Sequence, residues 1–190
     1  MHQATALADE ILDMAVQAAR RQDGAALAAL DDHPAPIYVT DHQGVIIYFN
    51  RSCVALAGRT PIVGQDRWCV TWRLYTDQGD HLPHDACPMA TAIRKKRPVR
   101  GVTTVAERPD GSRVHMLPHP TPLLDDKGEL VGAVNLLVDV TDRKRAASLR
   151  VQAERCRRLA NLVGADPAGE KLKRMAAEYD ESTHRLDPQC

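Results

Sequence analysis

Gly132-Ala133-Val134-Asn135-Leu136-Leu137-Val138-Asp139-Val140-Thr141-Asp142-Arg143-Lys144 is the stretch on which the fold turns. Up to Val140 it is apolar and rich in β-branched residues. Alternation puts Gly132, Val134, Leu136, Val138 and Val140 on one face, with no polar group among them. Ala133, Asn135, Leu137 and Asp139 take the other face. The first face is assigned to the core. After Thr141 the composition changes to Arg, Ala, Leu and Glu, and Ala146, Leu149, Ala153, Cys156, Ala160 and Val163 recur at three- and four-residue steps. A strand thus passes into a helix around Asp139 and Thr141. The Thr hydroxyl or the Asp carboxylate is suited to cap the helix start, and Asp139 is in reach of Arg143. A polar hinge of this kind can hold two helix orientations; an ordinary N-cap uses the same residues.

Upstream, two turn signals, Arg108-Pro109-Asp110-Gly111-Ser112 and Asp125-Asp126-Lys127-Gly128, separate strand candidates Val99–Ala106, Arg113–Leu124 and Leu130–Val140. Pro118, Pro120 and Pro122 require the middle strand to be distorted or to lack some ladder bonds. Ile37–Thr40 and Val45–Phe49 flank Asp41-His42-Gln43-Gly44 as a hairpin. Asn50 caps a short helix that Gly58 stops. Residues 59–84 read as irregular and contain both tryptophans, and Asp85 to Lys96 reads as a helix closed by Pro98. The order is β-β-(short helices)-β-β-β: an α+β fold with a five-stranded antiparallel sheet and helices on one side.

Two helical segments flank this unit. Residues 1–30 carry the stripe Leu7, Ile11, Met14 and Ala18, with Asp9, Glu10 and Asp13 elsewhere on the wheel. The stripe either packs on its own domain or makes a dimer contact. Residues 143–190 form a C-terminal helical extension. Gly164 ends its first helix, Asp166 and Pro167 start a second, and the two fit an antiparallel hairpin. The division is 1–30, 31–142 and 143–190.

Composition narrows the function. Lys+Arg and Asp+Glu both number 25, so the net charge is zero and no global field recruits nucleic acid or a membrane surface. The five cysteines are odd in number and widely spaced, which fits a reducing cytoplasm. No signal-peptide pattern opens the chain, and no apolar run approaches the roughly 20 residues of a membrane span. There is no P-loop, GxGxxG after a strand, GxSxG or HExxH, so the reading is a non-enzyme. Lys95-Lys96-Arg97 and Arg143-Lys144-Arg145 read as solvated helix ends.

Taken in order, the hairpin from Pro36 to Asn50, the Arg108–Ser112 turn, Pro120 to Gly128, and Gly132 to Lys144 resemble the PAS domain family over about residues 27 to 145. The last stretch is similar to that family's final strand and its Asp-Ile-Thr exit motif. The resemblance implies a pocket between sheet and helices, with signal output through the final strand into a helix. The variety looks like the sensory modules of bacterial two-component proteins. It implies a homodimer, a signalling partner such as a histidine kinase or regulator, and a possible small-molecule ligand. Asp139, Thr141 and Arg143 are then signalling residues, and Trp68, Trp72, Val134 and Leu136 are pocket candidates.

The family's cofactors leave one candidate. Its light-sensing flavin variety sets a reactive Cys between Asn and Arg-Phe, whereas Asn50-Arg51-Ser52-Cys53 lies on a different helix. Haem needs an axial His, Cys or Met. His84, Cys87 and Met89 supply all three, and Cys87-Pro88 resembles a haem-regulatory pair, so a haem-based redox or gas sensor is the alternative to a ligand-biased module. A ligand-free dimerising adaptor is the third reading. No metal site is expected: His81, His84 and Cys87 lack a fourth ligand, and His115 and His119 on one strand face stand about 13 Å apart.

Overall fold

The computed structural model describes residues 2–20, 24–164 and 166–188, with the side chains of 2–9 and 20 outside that description. Leu7 and Asp9, named above, and Cys190, one of the five cysteines, therefore lie outside the described side chains. The chain divides into two compact units, one ending at Asp139 and the other starting at Val140.

The first unit runs α1 (His2–Arg20), α2 (Gly24–Ala28), β1 (Ile37–Asp41), β2 (Ile46–Phe49), α3 (Arg51–Ala57), β3 (Arg73–Thr76), a single 3₁₀ turn (His84–Ala86), α4 (Pro88–Lys95), β4 (Thr104–Glu107), β5 (Arg113–Pro118), β6 (Thr121–Leu124) and β7 (Leu130–Asp139). The strands form one antiparallel sheet in the order β2-β1-β7-β5-β4-β3, with β6 also on β7. Seven strands stand where five were expected, for two reasons. The stretch 113–124 divides at His119-Pro120, although Pro118 opposite Leu137 and Thr121 opposite Val134 keep one register. And β3, inside the segment read as irregular, pairs with β4 from Arg73–Glu107 to Thr76–Thr104.

Both faces of β7 are buried from Gly132 to Leu137. On one face, Ala133 and Leu137 join Tyr38, Cys53, Leu74, Met89 and Met116 beneath α3 and α4. On the other, Val134 and Leu136 join Ile37, Val39 and Leu123 beneath Ile11, Leu12, Ala15 and Val16 of α1. Helices therefore cover both faces of the sheet, not one. The stripe that α1 buries is also rotated from the expected one: Met14 is exposed, and Leu12, Ala15 and Val16 point inward. Through this face α1 packs on the sheet of its own domain. Gly132 is needed where β7 passes β1, because a Cβ there would stand 2.3 Å from Thr40 O.

Local chemistry fixes the connections. Asn50 caps α3 by accepting from Cys53 N, and Gly58 ends that helix in the left-handed region at φ 64°. Arg108, in the turn before β5, donates from Nε to Leu56 O at 2.9 Å and from Nη2 to Ala55 O at 3.3 Å. It satisfies carbonyls at the end of α3 that the helix leaves unpaired.

The second unit is an antiparallel pair, α5 (Thr141–Val163) and α6 (Pro167–Leu186). Arg157 pairs with Asp180, and Arg150 with Asp187 at 3.3 Å. Its seam is built of small buried residues: Ala153, Cys156 and Ala160 of α5, and Gly169, Ala176 and Thr183 of α6. A Cβ at Gly169 would stand 2.0 Å from Gly164 O, so the tight turn requires glycine there. Asp166 caps α6 by accepting from Gly169 N at 2.8 Å.

Candidate functional site

The site begins with β1 and β7, which hold Tyr38 and Asn135 side by side in antiparallel register. Both side chains point beneath α3 and α4. Asn135 Nδ2 donates to Tyr38 Oη at 3.0 Å, and Tyr38 Oη donates to Trp68 O at 2.9 Å. The carbonyl is available because Trp68 takes a positive φ of 69°, which turns the chain between residues 67 and 69. Opposite this relay lie four sulfur side chains, Cys69, Cys87, Met89 and Met116, around a residual void of about 10 Å³. A void of that size holds at most about one water molecule.

Two buried polar atoms beside the void have no hydrogen-bond partner: Asn135 Oδ1 and Thr104 Oγ1. Asn135 is 2% exposed and Thr104 1%. Each such atom costs about 1–3 kcal/mol relative to a satisfied one. Thr104 and Pro88 also border an open cleft of about 280 Å³ between the β3 turn, the start of α4 and the segment before β4. The inner void and the outer cleft therefore share a wall.

Burial dominates the electrostatics. It pushes the Tyr38 hydroxyl well above its ordinary range, with the nearby Cys69 and Cys87 adding to the rise. It raises the Cys53 and Cys69 thiols too. Cys87 is pushed up to about 12 by burial and then by Cys69, although its sulfur sits at the start of α4 and accepts from Ala90 N at 3.5 Å. These thiols are protonated and weakly nucleophilic.

The sequence-based candidates divide accordingly. Cys87 and Met89 do line the inner void. His84 sits in the 3₁₀ turn and does not. The residue is half-buried, its buried Nε2 lacks a partner, and burial, followed by Arg59, lowers its pKa. The three proposed haem ligands do not converge, and a space of about 10 Å³ is far below the roughly 300 Å³ at which small-molecule pockets begin. These residues do not fit haem. Val134 and Leu136 are corrected as pocket candidates: they face α1, on the side of the sheet away from the void. Alternation alone could not tell the two buried faces apart. Trp72 is exposed, with Arg73 stacked on its ring at 4.2 Å. Trp68 packs its ring over Gly44, where a Cβ would stand 2.1 Å from Cε3, and presents its backbone carbonyl to Tyr38. Tyr38, Thr104 and Asn135 were not singled out from sequence. A polar residue at 135 on an otherwise apolar strand was the available signal.

At the exit, β7 ends at Asp139 and α5 begins at Thr141, so Val140 alone separates strand from helix. The N-cap falls on Val140, which has no capping side chain, and not on Asp139 or Thr141. At the helix start Lys144 N donates to Val140 O at 2.9 Å.

One antiparallel sheet covered by helices on both faces, with its last strand leading directly into a helix, makes this an α+β module. Residues 30–145 match the family described as the PAS fold, and this chain belongs to that family. Among solved structures it is similar to an RNA-binding light-oxygen-voltage receptor, at 24% identity over 63% of this chain and 33% of that one, with a TM-score of 0.49. It is similar to the PAS domain of the fruit-fly ELK potassium channel, at 17% identity over 60% of this chain and 93% of that one, with a TM-score of 0.46. It is also similar to a PAS domain from Colwellia psychrerythraea, at 20% identity over 60% and 92%, with a TM-score of 0.40. The chain spans 33% of the length of the RNA-binding receptor. No curated protein matches the sequence.

Proposed function

We propose that this chain is a non-catalytic PAS signalling module that relays the state of its interior site through β7 into the α5–α6 pair and on to a protein partner. The observation that carries this reading is the connection itself. The strand that contributes Asn135 to the site is the one from which α5 springs, with Val140 as the only residue between them. A shift in β7 has no loop in which to dissipate. Asp139, Thr141 and Arg143 occupy that junction and act as its hinge. The partner is a signalling protein such as a histidine kinase or a regulator, the working form is a homodimer, and the compartment is the cytoplasm. The neutral overall charge and the absence, among the described residues, of any helix long and apolar enough to cross a membrane agree with this reading. Hydrogen exchange on Asp139→Ala and Thr141→Ala tests it: altered protection across α5 and α6 is expected, and unchanged protection in both variants would count against a hinge.

A further inference from the structure

The first unit carries the outer cleft and also a groove of about 730 Å³ between α1 and α2. Unlike that groove, the cleft opens beside buried polar atoms that lack partners. Its lining carries four threonine side chains, Thr76, Thr91, Thr103 and Thr104, with Gln78 and Asp77 at the β3 turn. No Lys or Arg lines it. The one charge present is a carboxylate, and Asp77 already faces His115 at 3.6 Å. An anionic ligand would lose its hydration there without gaining a cation. An uncharged ligand rich in hydroxyl groups suits the lining, because hydroxyls both donate and accept.

The inner wall adds a direction. Thr104 borders both cleft and void, and its hydroxyl is unpartnered at 1% exposure. Just beyond it, Asn135 Oδ1 has accepting capacity and no donor, while its amide nitrogen is committed to Tyr38. One ligand hydroxyl reaching past Thr104 would supply that donor, and the void has room for a single such group.

We infer that the cleft between the β3 turn, α4 and β4 is a binding site for a small uncharged polyol or sugar, read out at its inner end by Thr104 and Asn135. This rests on the reading of the chain as a sensor and supplies the class of ligand. β3 builds one wall, so the extra strand at the sheet edge has a use.

NMR titration of the full chain tests this, with ribitol and mannitol as probes and succinate and citrate as anionic controls. The polyols are expected to shift the amide resonances of Thr76, Thr91, Thr103 and Thr104 saturably, and the anions are not. Thr104→Val keeps the shape and removes the hydroxyl, and is expected to weaken polyol binding about five-fold or more without lowering the thermal midpoint. No saturable shift with either polyol, an equal response to the anions, or unchanged affinity in Thr104→Val would overturn the assignment. Exchange in α5 and α6 separates this from the relay. Cleft shifts without any helix response would support the site and count against the relay; a helix response to Asn135→Leu without polyol binding would do the reverse.

Discussion

Asn135 donates its amide to the Tyr38 hydroxyl at 3.0 Å across 97 residues of sequence. That bond joins the first strand of the sheet to the strand that leads into α5. Because Tyr38 Oη in turn donates to Trp68 O at 2.9 Å, a single hydroxyl pairs with two groups and ties three segments together. Tyr38→Phe removes the partner of two buried groups at once and is expected to cost about 2–4 kcal/mol in urea unfolding. Asn135→Leu removes a donor together with an acceptor that is already unsatisfied, and is expected to cost under about 1.5 kcal/mol. The reverse ranking would show that the network is not arranged around Tyr38.

Asn50 is the polar anchor of the N-terminal half. Its side chain accepts from Ile37 N and Cys53 N and donates to Leu30, His33 and Ala35 carbonyls. Asn50→Ala loses a helix cap and leaves several buried backbone groups unpaired, with an expected cost of about 2–4 kcal/mol. Asn50→Asp keeps the acceptor and loses the donor, so it should fall between wild type and alanine. Equal stability of alanine and wild type would contradict this role.

His84 gives stability a pH dependence. Burial and Arg59 hold its pKa below the ordinary value. As pH falls through about 6.5, the unfolded chain takes up a proton at His84 that the folded chain resists. The His84 contribution is therefore complete above that pH and is lost as pH drops toward the folded value. His84→Gln is expected to flatten this acid limb in thermal unfolding and to change little at higher pH. Parallel curves for the two proteins would refute it.

Buried thiols should be silent. Cys53, Cys69 and Cys87 are all buried and all shifted upward. Iodoacetamide at about pH 8 should leave these three unmodified in the folded protein and alkylate them after denaturation, as read by peptide mass spectrometry. Rapid labelling of Cys87 in the folded state would show that the inner void opens readily.

The local signals that bound the fold were legible because they act within a few residues. Asp110 and Asp125 each accept from backbone nitrogens two residues on, at 2.8 and 2.9 Å, in the turns their sequences announce. Asn50 and Asp166 cap the helices they precede. What escaped depends on distant partners. Arg73-Leu74-Tyr75-Thr76 has one fully buried residue and becomes a strand only through its pairing with β4. The face of β7 without polar groups was assigned to the core, yet both faces are buried, since α1 supplies a second apolar layer that leaves neither to solvent. The candidate site suffered for the same reason. His84, Cys87 and Met89 are close in sequence, yet only Cys87 and Met89 turn into the void, and His84 stays in the 3₁₀ turn outside it. Tyr38 and Asn135 meet only because β1 and β7 are neighbours.

The most direct measurement of the relay is hydrogen-exchange mass spectrometry on the full chain with and without Asn135→Leu, a substitution inside the site and before the exit. The account predicts that exchange changes in β7 and also across α5 and α6, helices that contain no altered residue. A change confined to β1, β7 and the 68–89 region, with α5 and α6 exchanging as in wild type, would contradict it and leave a module whose core and C-terminal helices act independently.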